Sequence, residues 1–304
     1  DKYLFQDGTE IKTYASIVNN PYSLEFNNNA YVDIPYNSNM ALGTKATFEA
    51  LVRIDSVNAT DISCILSKWG QSVSTDDWLL SVNTNGSLHF GYHTTGAGSF
   101  GSISYNGALF AYKTPIGKTI MISIVRDVTD LHLYIDGKLV ESKIGVIDAN
   151  PFANTSAPFR IGGQNYGGKT RYFDGVIDEV RIWNVARTAQ EIKDSYNKRL
   201  TGTEAGLKMY YPLDEGTGTT VQDLTGNSSG SIVNAVWVQG LMQIALGWVT
   251  IGSSPVTKAM FDQHGMTDLS VIDNTAIQQL TTDTPELLCW TDEEGDSVIR
   301  QVNI

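Results

Sequence analysis

Cysteine, histidine and long apolar runs are scarce in this chain of 304 residues. The only cysteines, Cys64 and Cys289, form no disulfide framework and no zinc-binding spacing, so we expect two buried free thiols. The four histidines are isolated from one another and are more typical of packing or surface positions than of metal ligands. No apolar stretch is long enough to span a bilayer, so membrane insertion is not expected.

Basic residues are also few, with 21 Lys and Arg against 33 Asp and Glu and a net charge of -12. A chain this acidic repels phosphate backbones and anionic lipid, so we expect no nucleic-acid partner. The simplest interpretation of the charge is solubility. Acidic side chains are also suitable ligands for a hard cation such as calcium.

Signatures of catalysis are few. The chain has no His-Glu-x-x-His motif of the kind that binds zinc in metalloproteases. Acidic residues lie close together at Asp178-Glu179 and at residues 292–294, but there they are adjacent. Because adjacent residues of a strand face opposite sides of a sheet, Asp178 and Glu179 are not expected to share a substrate. The sequence therefore predicts a protein that is not an enzyme.

Short alternating segments separated by turn residues dominate the chain between residues 20 and 200. Residues 47–54, 78–82 and 175–183 alternate apolar and polar side chains, and the chain has 28 glycines. This pattern predicts a mainly β fold of two packed antiparallel sheets. Thr188, with Glu191 three positions later, forms a capping box, which predicts one short helix.

Three regions follow from these patterns. Residues 1–19 are predicted to form an N-terminal hairpin or linker, and residues 20–240 the sandwich. Residues 241–304 are predicted to form a small α+β module, with a strand at 247–251 and a short helix at 257–265.

The run of residues 173–184, followed by the capping box, resembles the closing signature of laminin G-like domains. Further segments match the family in its own order: residues 23–27, 31–35, 48–52, 65–68, 124–126, 133–138 and 161–163. The resemblance implies a concanavalin A-like jelly-roll sandwich over about residues 20–200. Residues 211–227 also resemble the family, and either complete this sandwich or begin a second, truncated copy.

The resemblance also implies a structural calcium ion, because many laminin G-like domains hold one at the rim of the sandwich. It points to Asp178, with oxygen atoms from the turn between Asn27 and Asn29, as the ligands. A hard cation needs six to eight oxygens, which amides and backbone carbonyls can supply. The alternative is that Asp178 caps a turn and the asparagines form a hairpin tip.

Aromatic residues near predicted loops suggest a ligand site. Trp69 and Trp78 lie where loops meet strands, and the segment of residues 164–171 contains Asn165, Tyr166 and Arg171. Sugar binding combines an aromatic face with polar side chains that orient hydroxyl groups. We therefore predict that these five residues form a ligand site, the alternative being that they only cover the sheet edge.

Both ends of the chain are similar to segments of bacteriophage tail and structural proteins, over residues 2–14, 260–269 and 285–292. The first hypothesis is a lectin-like tail-fibre adhesin of the virion that binds a host surface glycan or protein. Because single sugar sites are weak, it would act as a homo-oligomer in contact with other virion subunits. The alternatives are a virion decoration subunit with protein contacts only, and a secreted or cell-surface bacterial carbohydrate-binding module.

Overall fold

The computed structural model describes two compact units, residues 20–242 and residues 1–19 with 243–304. The described residues are 22–27, 29–70, 76–95, 107–166 and 169–241, and the segments 3–4, 10–11, 269–272, 277–280, 286–291 and 297–302. For the terminal segments and for residues 107–109, 165–166 and 169–170, only the backbone is described. The strand predicted at 247–251 and the helix predicted at 257–265 lie outside the described residues.

The described chain is built almost entirely from strands. In chain order the strands are β1 (Tyr3–Leu4), β2 (Glu10–Ile11), β3 (Tyr22–Phe26), β4 (Tyr31–Ile34), β5 (Lys45–Ser56), β6 (Ser63–Lys68), β7 (Trp78–Val82), β8 (Ser87–Tyr92), β9 (Gly107–Lys113), β10 (Thr119–Asp127), β11 (Asp130–Ile135), β12 (Lys138–Lys143), β13 (Phe159–Ile161), β14 (Asn165–Tyr166), β15 (Lys169–Thr170), β16 (Asp174–Trp183), β17 (Leu207–Tyr211), β18 (Thr220–Val221), β19 (Gly230–Val233), β20 (Val236–Gln239), β21 (Leu269–Ile272), β22 (Ile277–Leu280), β23 (Glu286–Thr291) and β24 (Ser297–Val302). A 3-10 helix spans Ser38–Met40 and an α-helix, α1, spans Ala189–Ser195.

Two antiparallel sheets form the larger unit. Sheet 1 has the order β12-β11-β10-β5-β16-β3-β20, with β17 also paired to β16, and sheet 2 has the order β18-β19-β4-β13-β6-β7-β8-β9. This arrangement confirms the predicted mainly β, concanavalin A-like sandwich. Because β19 pairs with β4 and β20 pairs with β3, residues 207–240 complete this sandwich. The alternative of a second, truncated copy is therefore wrong.

Strand alternation builds the core between the two sheets. In β10 the side chains of Ile120, Ile122 and Ile124 belong to the core. Phe48 of sheet 1 meets Trp78 and Phe90 of sheet 2, with ring centroids 4.6 and 5.0 Å apart. Removal of these large apolar surfaces from water is the main stabilising contribution to the fold.

Sheet 2 is buried on both of its faces over three strands. Every residue of β6, β7 and β8 is buried. Leu80 and Phe90 point into the core, whereas Ser81 and His89, one position away in each strand, are buried on the opposite face. The outer face of sheet 2 is therefore covered by other parts of the chain.

Helix α1 starts at the capping box that the sequence predicts. The Thr188 side chain accepts a hydrogen bond from the Glu191 backbone N–H, and the Glu191 carboxylate accepts one from the Thr188 backbone N–H. None of the described helices has the length and apolar character that crossing a bilayer requires. In the smaller unit, β1 pairs with β2, and β21 to β24 form a four-stranded antiparallel sheet.

Buried charges link α1 to the outer face of sheet 1. Arg181 is fully buried, and its Nη2 lies 2.7 Å from Glu179 Oε2, while its Nη1 donates to the Ser195 carbonyl at 2.9 Å. Glu49, also fully buried, accepts hydrogen bonds from the Trp183 indole at 2.8 Å and from the Arg187 guanidinium at 3.2 Å. These contacts replace the water that the charges lose on burial.

We expect Arg181→Met to destabilise the protein by about 3–5 kcal/mol, because it leaves the Glu179 carboxylate buried without its cation. The matched control is Arg53→Met, which breaks a partly exposed pair with Asp55 and should cost less than about 1 kcal/mol. Urea denaturation measures both free energies of unfolding. Equal losses in the two variants would contradict a structural role for the buried network.

Candidate functional site

Alternation in β4 and β13 brings polar side chains to the outer face of sheet 2. Val32 and Ile34 enter the core, so Tyr31 and Asp33 lie on the opposite face. Arg160, between two core residues of β13, is paired in register with Asp33. The next strand, β6, continues this face of the sheet.

After β13 the chain turns over the outer face of sheet 2. Gly162 has a φ of +79°, and a side chain at this position would overlap the Phe26 ring, so only glycine fits. The Gly163 carbonyl then accepts a hydrogen bond from the Ser67 hydroxyl at 2.7 Å. The short β14–β15 pair follows, and Arg171 returns to Gln164 with a backbone hydrogen bond of 3.0 Å.

A group of polar and aromatic side chains lies beneath this segment, and we refer to it as the Arg171 cluster. It consists of Asp61, Cys64, Trp69, Asp76, Ser81, His89, Gln164 and Arg171. Arg171 Nε lies 3.0 Å from Asp61 Oδ1, and Arg171 Nη1 donates to Gln164 Oε1 at 3.1 Å. On the adjacent strands, Ser81 Oγ and His89 Nδ1 lie 3.1 Å apart.

Two members of the cluster contain buried polar atoms without hydrogen-bond partners among the described residues. Both carboxylate oxygens of Asp76 and the Nε2 of Gln164 make no hydrogen bond of good geometry. Each of the two residues is only 1% exposed. An unsatisfied buried polar group costs about 1–3 kcal/mol, so each calls for a partner, which can be a bound water or a ligand. Similar atoms occur elsewhere among the described residues, for example Trp78 Nε1 and Arg181 Nε.

Burial shifts the protonation equilibria of this cluster. It raises the pKa of Asp76 to about 7, although the Gly70 backbone, Arg171 and the Trp69 side chain partly stabilise the carboxylate. Burial, followed by the nearby Arg171 charge, lowers the pKa of His89 to about 4, so this imidazole is neutral at pH 7. Burial raises the pKa of Cys64 to about 12, which keeps it a thiol and excludes a nucleophilic role at neutral pH.

Beside the Arg171 cluster lies a half-exposed group that we refer to as the tyrosine platform: Tyr31, Asp33, Arg160 and Tyr172. The rings of Tyr31 and Tyr172 are nearly parallel, with centroids 6.2 Å apart and an interplanar angle of 16°. The Arg160 guanidinium lies 4.7 Å from the centroid of the Tyr31 ring and bonds to Asp33 at 2.7 Å. The platform therefore presents two aromatic rings and one charge pair.

The predicted ligand residues are only partly brought together. Arg171 and Trp69 meet around Asp76, as members of the same cluster. Trp78 differs from the prediction, because it packs in the core between Phe48 and Phe159, on the opposite face of sheet 2 from the Arg171 cluster. The backbones of Asn165 and Tyr166 form β14, and their side chains lie outside the described residues.

The described residues do not fit the calcium ligand set that the sequence resemblance implies. Asp178 is fully buried, and its oxygens accept hydrogen bonds from the Ser23 hydroxyl at 2.7 Å and the Glu179 backbone at 2.9 Å. Asn27 and Asn29 are exposed and follow the C-terminal end of β3, whereas Ser23 lies near the N-terminal end of this strand. Among the described residues, no three His, Cys, Asp or Glu side chains are placed to hold a metal ion.

Asp178 and Glu179 have separate surroundings, but simple strand alternation is not the reason. A bulge interrupts the β16–β5 pairing at this point, and Glu179 has a φ of +47°. The Glu179 carboxylate contacts Arg181 at 2.7 Å and accepts a hydrogen bond from the Tyr210 hydroxyl at 2.8 Å. Since both carboxylates are fully buried, they do not form an exposed acid pair.

Sequence analysis missed Asp76, Gln164 and the tyrosine platform. The platform had a usable signal, because Tyr31 and Asp33 occupy the polar positions of an alternating strand. Gln164 begins the predicted segment of residues 164–171 but was not chosen as a ligand residue. Asp76 had no such signal, since its burial depends on chain segments distant in sequence.

The family model described as the concanavalin A-like lectin/glucanases superfamily matches residues 26–193, more than half of the chain. A comparison with curated proteins gives no match.

Solved structures resemble the fold. A candidate carbohydrate binding protein from Bacteroides ovatus is 20% identical, with a TM-score of 0.58, over 76% of this chain and 63% of that one. A heptameric SAP-like pentraxin from Limulus polyphemus is 12% identical, with a TM-score of 0.49, over 75% and 99%. The CBM40 of the Ruminococcus gnavus IT-sialidase, bound to sialyllactose, is 13% identical, with a TM-score of 0.43, over 58% and 98%. At these identities the likeness concerns the fold alone, whereas the family match identifies this chain as a member of the concanavalin A-like lectin/glucanase superfamily.

Proposed function

We propose that this protein is a lectin-like module that binds a glycan at the Arg171 cluster, on the outer face of sheet 2, without cleaving it. The observation that carries the proposal is the buried Asp76 carboxylate and Gln164 amide. The carboxylate oxygens and the amide nitrogen make no hydrogen bond of good geometry among the described residues, although the Gly70 backbone and the Trp69 side chain partly stabilise the carboxylate. Sugar hydroxyl groups both donate and accept hydrogen bonds. They could therefore satisfy the carboxylate oxygens and the amide N–H at the same time.

Trp69 supplies the aromatic component of the proposed site. It is 8% exposed, and its ring packs edge-on against His93, with centroids 5.6 Å apart. Its side chain also stabilises the Asp76 carboxylate. An aromatic ring held beside polar groups suits a sugar ring, which has both apolar C–H and polar O–H surfaces.

The absence of cleavage is part of the proposal and is argued from the carboxyl groups. Glycoside hydrolysis ordinarily needs two carboxyl groups, one protonated and one ionised. Asp76, with its raised pKa, could serve as the acid, but Asp61 is bound to Arg171 and so is not a free nucleophile or base. Incubation of the protein with a bound polysaccharide, followed by analysis of reducing ends, tests this point, and released sugar would contradict it.

Asn165 and Tyr166 remain proposed ligand residues, since the β14–β15 pair lies between Gln164 and Arg171. We expect Tyr166→Ala to weaken glycan binding, because it removes an aromatic side chain of the kind that stacks on sugar rings. Titration calorimetry of the wild type and of the variant with the same glycan measures the change in affinity. Unchanged affinity would exclude Tyr166 from the site.

The more specific proposal is an adhesin of the virion, in which several copies combine weak sites into strong attachment. The resemblance of both chain ends to bacteriophage tail proteins supports it, and a secreted bacterial module is the alternative. Light scattering of the full chain tests the oligomer, since a monomer at micromolar concentration would contradict it.

A second candidate function, assembly through protein contacts alone, has one observation in its favour. Leu139, Val140, Ile144 and Val146 are large exposed aliphatic side chains in or just after β12, an edge strand of sheet 1. Exposed apolar groups of this kind occur at protein interfaces. An assembly role would be favoured if Val140→Lys dissociated an oligomer and no glycan bound.

We expect Asp76→Asn to weaken glycan binding while stabilising the fold. The substitution removes a buried carboxylate that lacks good hydrogen bonds, and with it the strongest acceptor for sugar hydroxyls. Titration calorimetry and urea denaturation measure the two effects. The control is Asp194→Asn, at an exposed position of α1, which should change neither. If Asp76→Asn destabilised the fold instead, Asp76 would be a structural residue.

The stability difference between Asp76→Asn and the wild type should depend on pH. The pKa of Asp76 is raised from 3.8 to about 7 on folding, so its ionisation destabilises the folded state. The wild type therefore loses stability through this group as the pH rises from about 4 to about 7. We expect the advantage of Asp76→Asn to grow over that interval and to be constant above it. Denaturation curves between pH 4 and 8.5 measure it, and a constant difference would contradict the shifted pKa.

A further inference from the structure

We propose, on the basis of the glycan-binding function above, that the ligand is an uncharged oligosaccharide that extends from the Arg171 cluster onto the tyrosine platform. The platform would then be a second subsite, in which sugar rings stack on Tyr172 and Tyr31. The site would recognise a length of chain rather than a single terminal sugar.

The two parts of the surface are continuous. Tyr172 of the platform directly follows Arg171 of the cluster in the sequence. Gly163 directly precedes Gln164 of the cluster. A Cβ at position 163 would lie 3.2 Å from Tyr31 Cβ and 3.2 Å from Tyr172 Cδ1. The backbone at Gly163 thus lies close to both tyrosines, and its carbonyl accepts a hydrogen bond from the Ser67 hydroxyl at 2.7 Å.

The platform is held in place before any ligand arrives. Arg160 is fixed by Asp33 at 2.7 Å and lies over the Tyr31 ring, while Tyr172 is almost parallel to that ring. Side chains that are already ordered lose little conformational entropy on binding, which favours affinity. Both tyrosines are only half-buried, so part of each ring is available to a ligand.

The charges of the surface favour an uncharged ligand. Among the described side chains of the two subsites, Arg160 and Arg171 are each bound to a carboxylate, that of Asp33 and that of Asp61. Asp76 adds a further acidic group that no arginine or lysine pairs with directly. Among these described side chains, two cations against three carboxyl groups leave no net positive charge to attract a sialylated or uronic-acid sugar, and the chain as a whole carries a charge of -12.

The experiment measures affinity against oligosaccharide length by titration calorimetry. The probes are ladders of cello-, xylo-, manno- and malto-oligosaccharides of one to six units, with sialyllactose as the anionic probe. For at least one uncharged ladder we expect the affinity to rise about tenfold or more between one and four units and then to level off, as the platform fills. Sialyllactose should bind more weakly than that ladder.

Variants of the platform test whether it causes the increase in affinity with oligosaccharide length. Tyr172→Ala should remove the dependence on length, whereas Tyr172→Phe, which keeps the ring, should preserve it. Tyr22→Ala, at an exposed tyrosine of sheet 1, is the control and should behave as the wild type. Thermal melting checks that each variant is folded.

The outcomes separate the two proposals. Affinity that is independent of length, or a dependence that survives in folded Tyr172→Ala, would overturn the platform subsite while leaving glycan binding in place. Preference for sialyllactose would overturn the uncharged ligand. The absence of binding to every probe would overturn the glycan-binding function itself, and the platform subsite with it.

Discussion

Burial of both faces of β6, β7 and β8 is the constraint on which the rest of the structure depends. One face must be apolar because it closes the core against sheet 1, where Phe48 meets Trp78 and Phe90. The other face holds Ser81 and His89, which are also buried, and on this face the segment that turns at Gly162 contacts β6. Desolvated polar side chains are thus an unavoidable product of this topology, and each must find a partner or destabilise the fold.

The buried polar side chains on the outer faces of the two sheets are paired in different ways. On sheet 1, Glu49, Glu179 and Arg181 form a network in which buried charges contact one another directly. On sheet 2, Arg171 is paired with Asp61, but Asp76 and one nitrogen of Gln164 have no good partner among the described residues. Arg181 Nε also lacks a hydrogen bond, so the two faces differ in the pairing of charges: the Asp76 carboxylate has no cation bound to it directly, whereas Glu179 has Arg181. This contrast, rather than the fold, supports the functional proposal.

Sequence analysis could predict the fold because its signals are local. Alternation in segments such as residues 47–54, and the capping box at Thr188, predict strands and a helix from neighbouring residues alone. Exposure is harder to predict, because it depends on what covers a residue. Trp78 has the sequence context of a loop edge but belongs to the core, and Asp76 has no distinctive motif but is buried. The bulge that separates the surroundings of Asp178 and Glu179 likewise depends on pairing with β5 and not on a local pattern.

A concanavalin A-like sandwich accommodates many functions, so membership of the family does not by itself assign one to this chain. The central claim is that the outer face of sheet 2 is its glycan-binding surface. The most direct measurement is a crystal structure of the protein with the oligosaccharide that binds it most tightly. We expect electron density for the sugar in contact with Asp76 and Trp69, and extending over Tyr172. Density confined to the loop rim near Asn27, or to the outer face of sheet 1, would contradict it.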